Sequence, residues 1–201
     1  MDRDYYVNIL KARLSPARLA HSQLVVETAF KLRDRLQIEE KNSLKEEKLW
    51  LAALLHDYAK DLSGQELLFI AAENNLISCK AEEVQPDLLH GPVGAFLCRR
   101  DLKIEDEEVL QTIRYHTTGH ERMTLLEKLV FLADLVEPSR NYVGVDELRK
   151  ICEDDLDKGL LFAFDSTLQY VLRRELLIHP LTVQARNDQL LIMGGMEHRN
   201  E

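Results

Sequence analysis

Helix punctuation recurs along this chain with no strand-like alternation to compete with it, and that restricts the fold more than any other feature. Ser15-Pro16 pairs an N-cap residue with proline at the first helical position, and Leu19, Val26, Phe30 and Leu36 continue an apolar stripe behind it. Ser63-Gly64-Gln65-Glu66 and Thr124-Leu125-Leu126-Glu127 both have capping-box spacing. The pattern predicts a long helix from Pro16, a loop over Glu39 to Asn42, a helix from Ser43 or Leu44 to about Tyr58, and a third over Glu66 to Asn75. Gly91-Pro92 opens a short helix to about Arg100, Glu105 to His116 forms another, and the helix after Thr124 stops at Pro138. Further helices are expected near Val145 to Ile151, from about Asp155 to Leu176, and from Pro180. No repeat, low-complexity tract or long linker interrupts the series. The expected fold is therefore all-α, a single-domain helical bundle over residues 1–196, with C-terminal helices at about 144–192 and a polar tail at 197–201.

Composition narrows the partners. The 201 residues are 45% hydrophobic and 30% charged, the balance of an ordinary globule. The apolar run Leu49 to Leu55 covers seven residues, well short of the ~20 that cross a bilayer, so no membrane span is expected. Against 26 Lys and Arg stand 35 Asp and Glu, a formal charge of −9 without a long basic run, which argues against nucleic acid as a partner. Cys79, Cys98 and Cys152 are widely spaced and form no CxxC pair, so neither a disulfide framework nor a thiolate zinc site is expected. The acidic start Met1 to Tyr6 does not look like a secretory signal, and the expected location is cytoplasmic.

The chemistry begins where apolar runs are broken by polar residues. His56-Asp57 ends the run Leu49 to Leu55, and Asp134 lies between Leu129 to Ala133 and Leu135-Val136. A carboxylate buried in such a setting loses hydration worth several kcal/mol unless something compensates it. Two of them repel unless they share a proton or a cation, and a metal ion accounts for both. His21 falls in the first turns of the first long helix, His90 just before the helix opened by Pro92, and His116 at the end of the next helix. Helices meeting in a bundle can bring such residues to one level. Mixed imidazole and carboxylate donors suit iron, manganese or zinc better than calcium.

The order His21, His56-Asp57, His90, His116, Asp134 resembles the HD phosphohydrolase superfamily, whose helical core carries the pattern H…HD…D with further histidines. The longer strings Leu54 to Asp61 (LLHDYAKD), Leu88 to Ala95 (LLHGPVGA), Tyr115 to Gly119 (YHTTG), Phe131 to Arg140 (FLADLVEPSR) and His179 to Asn187 (HPLTVQARN) are similar to its bacterial YqeK-type branch. That branch hydrolyses dinucleoside tetraphosphates symmetrically, diadenosine tetraphosphate giving two ADP. The resemblance implies a metal-binding core over about residues 16–140. In it His21, His56, Asp57 and Asp134 would hold one metal, and Asp57 would bridge to a second held by His90 and His116. It implies a dinuclear centre with iron the first expectation and manganese, zinc or another divalent cation as alternatives. Water activated by the metals would attack the phosphate, so no protein nucleophile is required. The alternatives within reach of the same residues are another HD phosphohydrolase acting on mononucleotides or cyclic nucleotides, and a nucleotide sensor without turnover.

Around this set, Lys60 follows Asp57 by three residues and is either a phosphate contact or a solvated lysine. Arg140 offers a planar fork suited to phosphate. Thr117 either donates its hydroxyl beside His116 or caps the helix, and Gly119 permits a tight turn. The expected catalytic set is thus Asp57, Lys60 and Arg140, with substrate contacts from His21, Lys60, His90, Thr117 and Arg140. His120 is read as lining the entrance or lying on the surface, and His179-Pro180 with Arg186-Asn187 as a signature or as packing at the bundle end. Arg173 and Arg174 either approach a nucleotide or end a solvated helix, and His198 belongs to a tail expected to be disordered. The scattered apolar residues outside the motifs allow a monomer or a homodimer.

Overall fold

In the computed structural model, which describes residues 2–194, every regular element is helical. The first, α1 (Arg3–Arg13), is capped by the Asp2 carboxylate, which accepts from the Tyr5 N–H at 3.2 Å. It lies against the bundle through Leu10 and through Tyr6, whose ring meets Trp50 edge-on. Then follow α2 (Pro16–Asp34), α3 (Ile38–Ser43), α4 (Glu46–Leu55), α5 (Gly64–Glu73) and α6 (Lys80–Val84). A 3-10 turn at Pro86–Leu89 leads into α7 (His90–Leu102), α8 (Glu107–Tyr115) and α9 (Leu125–Val136). The chain closes with α10 (Val145–Asp154), α11 (Leu156–Arg173) and α12 (Pro180–Ile192).

The strong capping signals match the helices they announce. Ser63 with Glu66 and Thr124 with Glu127 form reciprocal capping boxes at α5 and α9, and Asp155 caps α11 by accepting from Lys158 N–H. Elsewhere the expectations need correction. Ser15 stands at the N-cap of α2, but its side chain makes no capping bond; its N–H donates to the Asp61 carboxylate at 2.6 Å instead. The expected loop over Glu39 to Asn42 is the short helix α3, which buries no residue and so carries no apolar stripe to betray it. Glu39 and Glu40 in its first turn and Lys41 in its last complement the helix dipole. α4 stops at Leu55, before the expected Tyr58, and the chain continues in tight turns closed by Tyr58 N–H to Leu55 O and Lys60 N–H to Asp57 O. α11 ends at Arg173, three residues before the expected Leu176.

All of Leu49 to Leu55 is buried, as is most of α9 from Leu126 to Ala133, so these two helices run through the interior with neighbours on every side. α2 packs on both, α8 packs on both as well, and α7 lies along α8. α10 and α11 cover α9, and α12 lies on α11. Four helix termini thereby meet at one place: the end of α4, the start of α7, the end of α8 and the last turn of α9.

The start of α7 reaches the end of α8 because residue 91 has no side chain. A Cβ on Gly91 would lie 2.5 Å from the Arg114 carbonyl oxygen and 3.2 Å from that of Ile113, whereas one on Gly94 would meet nothing closer than 3.5 Å. Gly91→Ala must therefore push the two helices apart, at a cost of about 1–3 kcal/mol. Gly94→Ala should be neutral or stabilising, because alanine is the better helix former. Urea unfolding of the two variants checks this, and equal midpoints would rule out the close approach as a constraint.

Candidate metal centre

Helix ends leave carbonyl oxygens without intrahelical partners, and this chain answers two of them with histidine. His56 follows α4 directly and donates Nδ1–H to the Ala53 carbonyl at 2.8 Å. His116 follows α8 and donates Nδ1–H to Ile113 O, also at 2.8 Å. His90 closes the 3-10 turn by donating Nδ1–H to Asp87 O. His21, in the second turn of α2, uses a carboxylate instead: its Nδ1–H donates to Glu137 Oε1 at 3.1 Å.

With every Nδ1 facing an acceptor, the Nε2 lone pairs are the free ones, and they converge. His56 Nε2 is 3.3 Å from His21 Nε2, and His90 Nε2 is 2.9 Å from His116 Nε2. The acids join the same cluster. Asp57 Oδ2 lies 3.7 Å from His21 Nε2 and 3.6 Å from His56 Nε2, while its Oδ1 lies 3.3 Å from His90 and 3.6 Å from His116. Asp134 Oδ1 is 3.0 Å from His21 and 3.7 Å from His56. These are acceptors facing acceptors, an arrangement that needs a cation or a proton among them. Spacings near 3 Å also suit donor atoms that each stand ~2.0–2.2 Å from a shared ion. The donor set fits a metal. His21, His56 and Asp134 form one candidate cluster and His56, Asp57 and His116 another.

The electrostatics agree with that reading of the geometry. Burial works to raise the Asp57 carboxyl, yet the imidazoles of His56, His116 and His90 overcome it and hold it well below the usual carboxylate range. Asp134 is likewise held far down by His21, His56 and Arg140 against the effect of burial. For His21, burial lowers the pKa but the bond to Asp134 and the charges of Asp134 and Asp57 outweigh it, so the ring is held above its usual value. Burial drives His90 down.

The other expected residues surround the cluster. Lys60 Nζ lies 3.3 Å from His90 Nδ1. Thr117 Oγ1 is 3.2 Å from both His90 Nε2 and His116 Nε2. Arg140 donates Nε–H to the Asp134 main-chain oxygen at 2.7 Å and pairs with the Asp134 carboxylate through Nη2. Gly119 has φ +64° where the chain turns beneath Phe164. A further hollow of about 540 Å³, near Leu32, Arg35 and Cys152, is lined by none of these residues.

The HD domain profile matches residues 18–139. The chain belongs to the HD domain family. Two of its relatives carry the name bis(5'-nucleosyl)-tetraphosphatase, symmetrical. The one from Bacillus subtilis is 35% identical, covering 93% of this chain and 97% of its own, and the one from Halalkalibacterium halodurans is 36% identical, covering 95% and 98%. A crystal structure of a predicted HD superfamily hydrolase involved in NAD metabolism, from Clostridium acetobutylicum, superposes with a TM-score of 0.87 at 35% identity, covering 96% of this chain and 98% of that one.

Several residues take other places in the fold. His120 donates to Glu127, the capping-box acid of α9, at 2.8 Å. His179 caps α12, and Arg186 pairs with Asp165 across to α11, so the His179 to Asn187 string packs the end of the bundle. Arg173 and Arg174 contact Gln169 and Tyr170 of their own helix end. His198 and the 197–201 tail lie outside the described residues. Two residues escaped the sequence reading. Glu137 is fully buried and fixes His21; it is held in turn by the N–H and hydroxyl of Ser139, at 2.6 and 2.5 Å. It stands one turn after Asp134, directly behind two apolar residues, which was the available signal. Arg18 precedes His21 by three residues, on the same face of α2, and its Nη1 lies 3.7 Å from Asp57 Oδ2.

Burial lowers the His56 pKa from 6.5 to about 4, with Asp57 and Asp134 only partly opposing it. A group depressed in the folded chain contributes stability that is present above its unfolded pKa and lost as pH falls through the folded one. The metal-free protein should therefore lose about 3 kcal/mol through His56 between those two pH values. Urea titrations across that window measure it, and a flat profile would contradict a neutral, buried His56.

Proposed function

We propose that the protein is a metal-dependent hydrolase of dinucleoside tetraphosphates, a symmetrical bis(5'-nucleosyl)-tetraphosphatase that converts diadenosine tetraphosphate and water into two ADP. One observation carries the reading: bacterial proteins of that name, a third of them from Staphylococcus aureus included, align with 89% or more of this chain at 35–36% identity.

His21, His56, Asp57 and Asp134 would hold one ion, with Asp57 bridging to a second held by His90 and His116. The two separate pairs of contacts made by Asp57 Oδ1 and Oδ2 support a bridging role, since a carboxylate has two oxygens to share while an imidazole has one inward nitrogen here. Iron is the first choice of metal, with manganese and zinc as alternatives. When bound, such a pair supplies activation of water and neutralisation of phosphate charge. The chain's own groups do the rest. Lys60 and Arg140 offset charge on the phosphates, and Thr117 offers a hydroxyl to a phosphate oxygen beside His90 and His116. In the symmetrical cut, the water oxygen bonds to one of the two inner phosphorus atoms, and the oxygen between them leaves with the other ADP.

No helix among the described residues is long and apolar enough to cross a membrane, and cytoplasmic residence is part of the reading. So is a homodimer, which exposed Leu172, Leu176 and Leu177 at the corner between α11 and α12 support; light scattering tests it.

Chromatography of an early time point with diadenosine tetraphosphate should give ADP as the sole product. Equal AMP and ATP would retain the hydrolase and refute the symmetrical cut, while no turnover with any of iron, manganese or zinc would refute the hydrolase. In metal titrations His21→Ala and His90→Ala should each lose a different site, because they lie on opposite sides of Asp57. Identical losses in both would argue against two separate ions.

A further inference from the structure

The carbonyls in the last turn of α9 all find partners, most of them side chains from the residues that follow. Ala133 O accepts the Glu137 N–H at 3.0 Å, Asp134 O accepts Arg140 Nε–H at 2.7 Å, and Leu135 O accepts the Tyr142 hydroxyl at 3.0 Å. Val136 O would be left over, because the helix has no further N–H to offer it. Arg149 of α10 reaches back to it. Its Nε–H donates to Val136 O at 2.9 Å, and its Nη2 donates to both Glu137 O and Arg140 O at 2.8 Å. We propose that Arg149 is a positioning residue for the metal centre: by clamping the turn of residues 137–140 it holds Glu137 against His21 and Arg140 against Asp134, and so sets how firmly the ion on the His21 side is bound. The inference rests on the two-ion reading given above.

Both groups that this turn presents to the centre depend on its shape. It is closed by Arg140 N–H to Glu137 O at 3.0 Å, with Pro138 second in the turn, where a fixed φ suits the bend. One nitrogen of Arg149 bridges the carbonyls at its two ends, so the width of the turn is fixed. From one end the fully buried Glu137 carboxylate accepts His21 Nδ1–H at 3.1 Å, and from the other the Arg140 guanidinium pairs with the Asp134 carboxylate. His90 and His116, on the far side of Asp57, take nothing from this turn; their Nδ1–H groups donate to Asp87 O and Ile113 O. A partner that orients a ligating imidazole matters to the metal, and removing one typically costs ~10–100-fold in affinity. Arg149 stands one step further out. Its bonds run to Val136, Glu137, Arg140 and Asp146, none of them an expected ligand.

Charge and position predict opposite results here. Arg149 is a cation, and taking a cation away from the neighbourhood of a metal site tightens the hold on a metal ion by Coulomb's law. If Arg149 acts by position, its removal loosens that hold. The guanidinium uses separate nitrogens for Val136 and for the turn, so a lysine, whose donors share one nitrogen, keeps the charge without replacing the clamp.

Calorimetric titration of manganese(II) into the metal-free chain tests this. Wild type should take up two ions in separable steps, one of which His21→Ala removes and His90→Ala leaves in place. Arg149→Ala should weaken that step about tenfold and leave the other where it is. Arg149→Lys should weaken the same step although the charge is kept, and it carries the test if Arg149→Ala does not fold. Because part of the effect passes through Glu137, Arg149→Ala should cost less when added to Glu137→Gln than it does in wild type. Tighter or unchanged binding at the His21 step overturns the proposal. So does equal weakening of both steps, which a general loosening of the fold would give, or full additivity with Glu137→Gln. The reading beneath it fails separately. A wild type that takes up one ion per chain, lost in His21→Ala and weakened in Arg149→Ala, retains the positioning role and removes the ion pair. A wild type that takes up none overturns both.

Discussion

The orientation of four imidazoles is the constraint on which the centre depends. A neutral imidazole has one N–H and one lone pair, so committing Nδ1–H to an acceptor decides that Nε2 carries the free lone pair. In His56 and His116 the acceptor is a carbonyl that the helix end would otherwise leave unpaired, and in His90 it is the carbonyl three residues back in a 3-10 turn. Helix termination and ligand presentation are thus one event. The geometry of the candidate metal centre is set by where α4 and α8 stop, and the bundle needs only to bring those ends together.

His21 differs, and the difference divides the centre. Its Nδ1 faces a buried carboxylate on a segment more than a hundred residues away in sequence, so an anion stands behind one side of the cluster. Behind the other side stands the Lys60 ammonium, 3.3 Å from His90 Nδ1. The side of His21, His56 and Asp134 is consequently richer in negative charge than the side of His90 and His116, which has only its share of Asp57. Coulomb attraction in a poorly solvated site makes that asymmetry matter for how firmly a cation is held.

What could be read from the sequence follows from how local each signal is. Capping boxes at Ser63 and Thr124 and the proline at position 16 are decided by a few adjacent residues, and the helices they open are where the pattern puts them. The two interior helices were legible because continuous burial needs continuous apolar residues, and that made His56, Asp57 and Asp134 stand out. α3 was illegible because it buries nothing, and periodicity reports only burial. α1 was legible in principle through Asp2, but its one buried residue, Leu10, leaves the stripe too thin to see. Glu137 and Arg18 were hidden for another reason: their significance lies in contacts between α2 and the segments after α4 and α9. No spacing along the chain encodes that α2 lies across both.

The same residue types assemble once more, with the opposite result. Cys79, Glu82 and His179 bring a thiol, a carboxylate and an imidazole within 4.8 Å of one another, close enough for one ion. Here, however, His179 Nδ1 accepts the Leu181 N–H at 3.2 Å as the N-cap of α12, so the ring proton sits on Nε2 and points at Glu82 Oε1, 3.3 Å away. The other Glu82 oxygen is taken by the N–H and hydroxyl of Ser78 and the N–H of Cys79. No imidazole lone pair faces the cluster and its carboxylate is fully engaged, so it ties α6 to the start of α12 as a hydrogen-bonded joint. For His56 and His116 against His179 the contrast comes from which end of a helix the histidine occupies. His56 and His116, at helix C-termini, meet carbonyls, donate through Nδ1 and turn a lone pair inward; His179, at an N-terminus, meets an N–H group, accepts through Nδ1 and turns a proton inward. In this chain, counting potential ligands within reach does not distinguish a candidate metal site from a structural joint, and whether an acceptor or a donor faces each Nδ1 does.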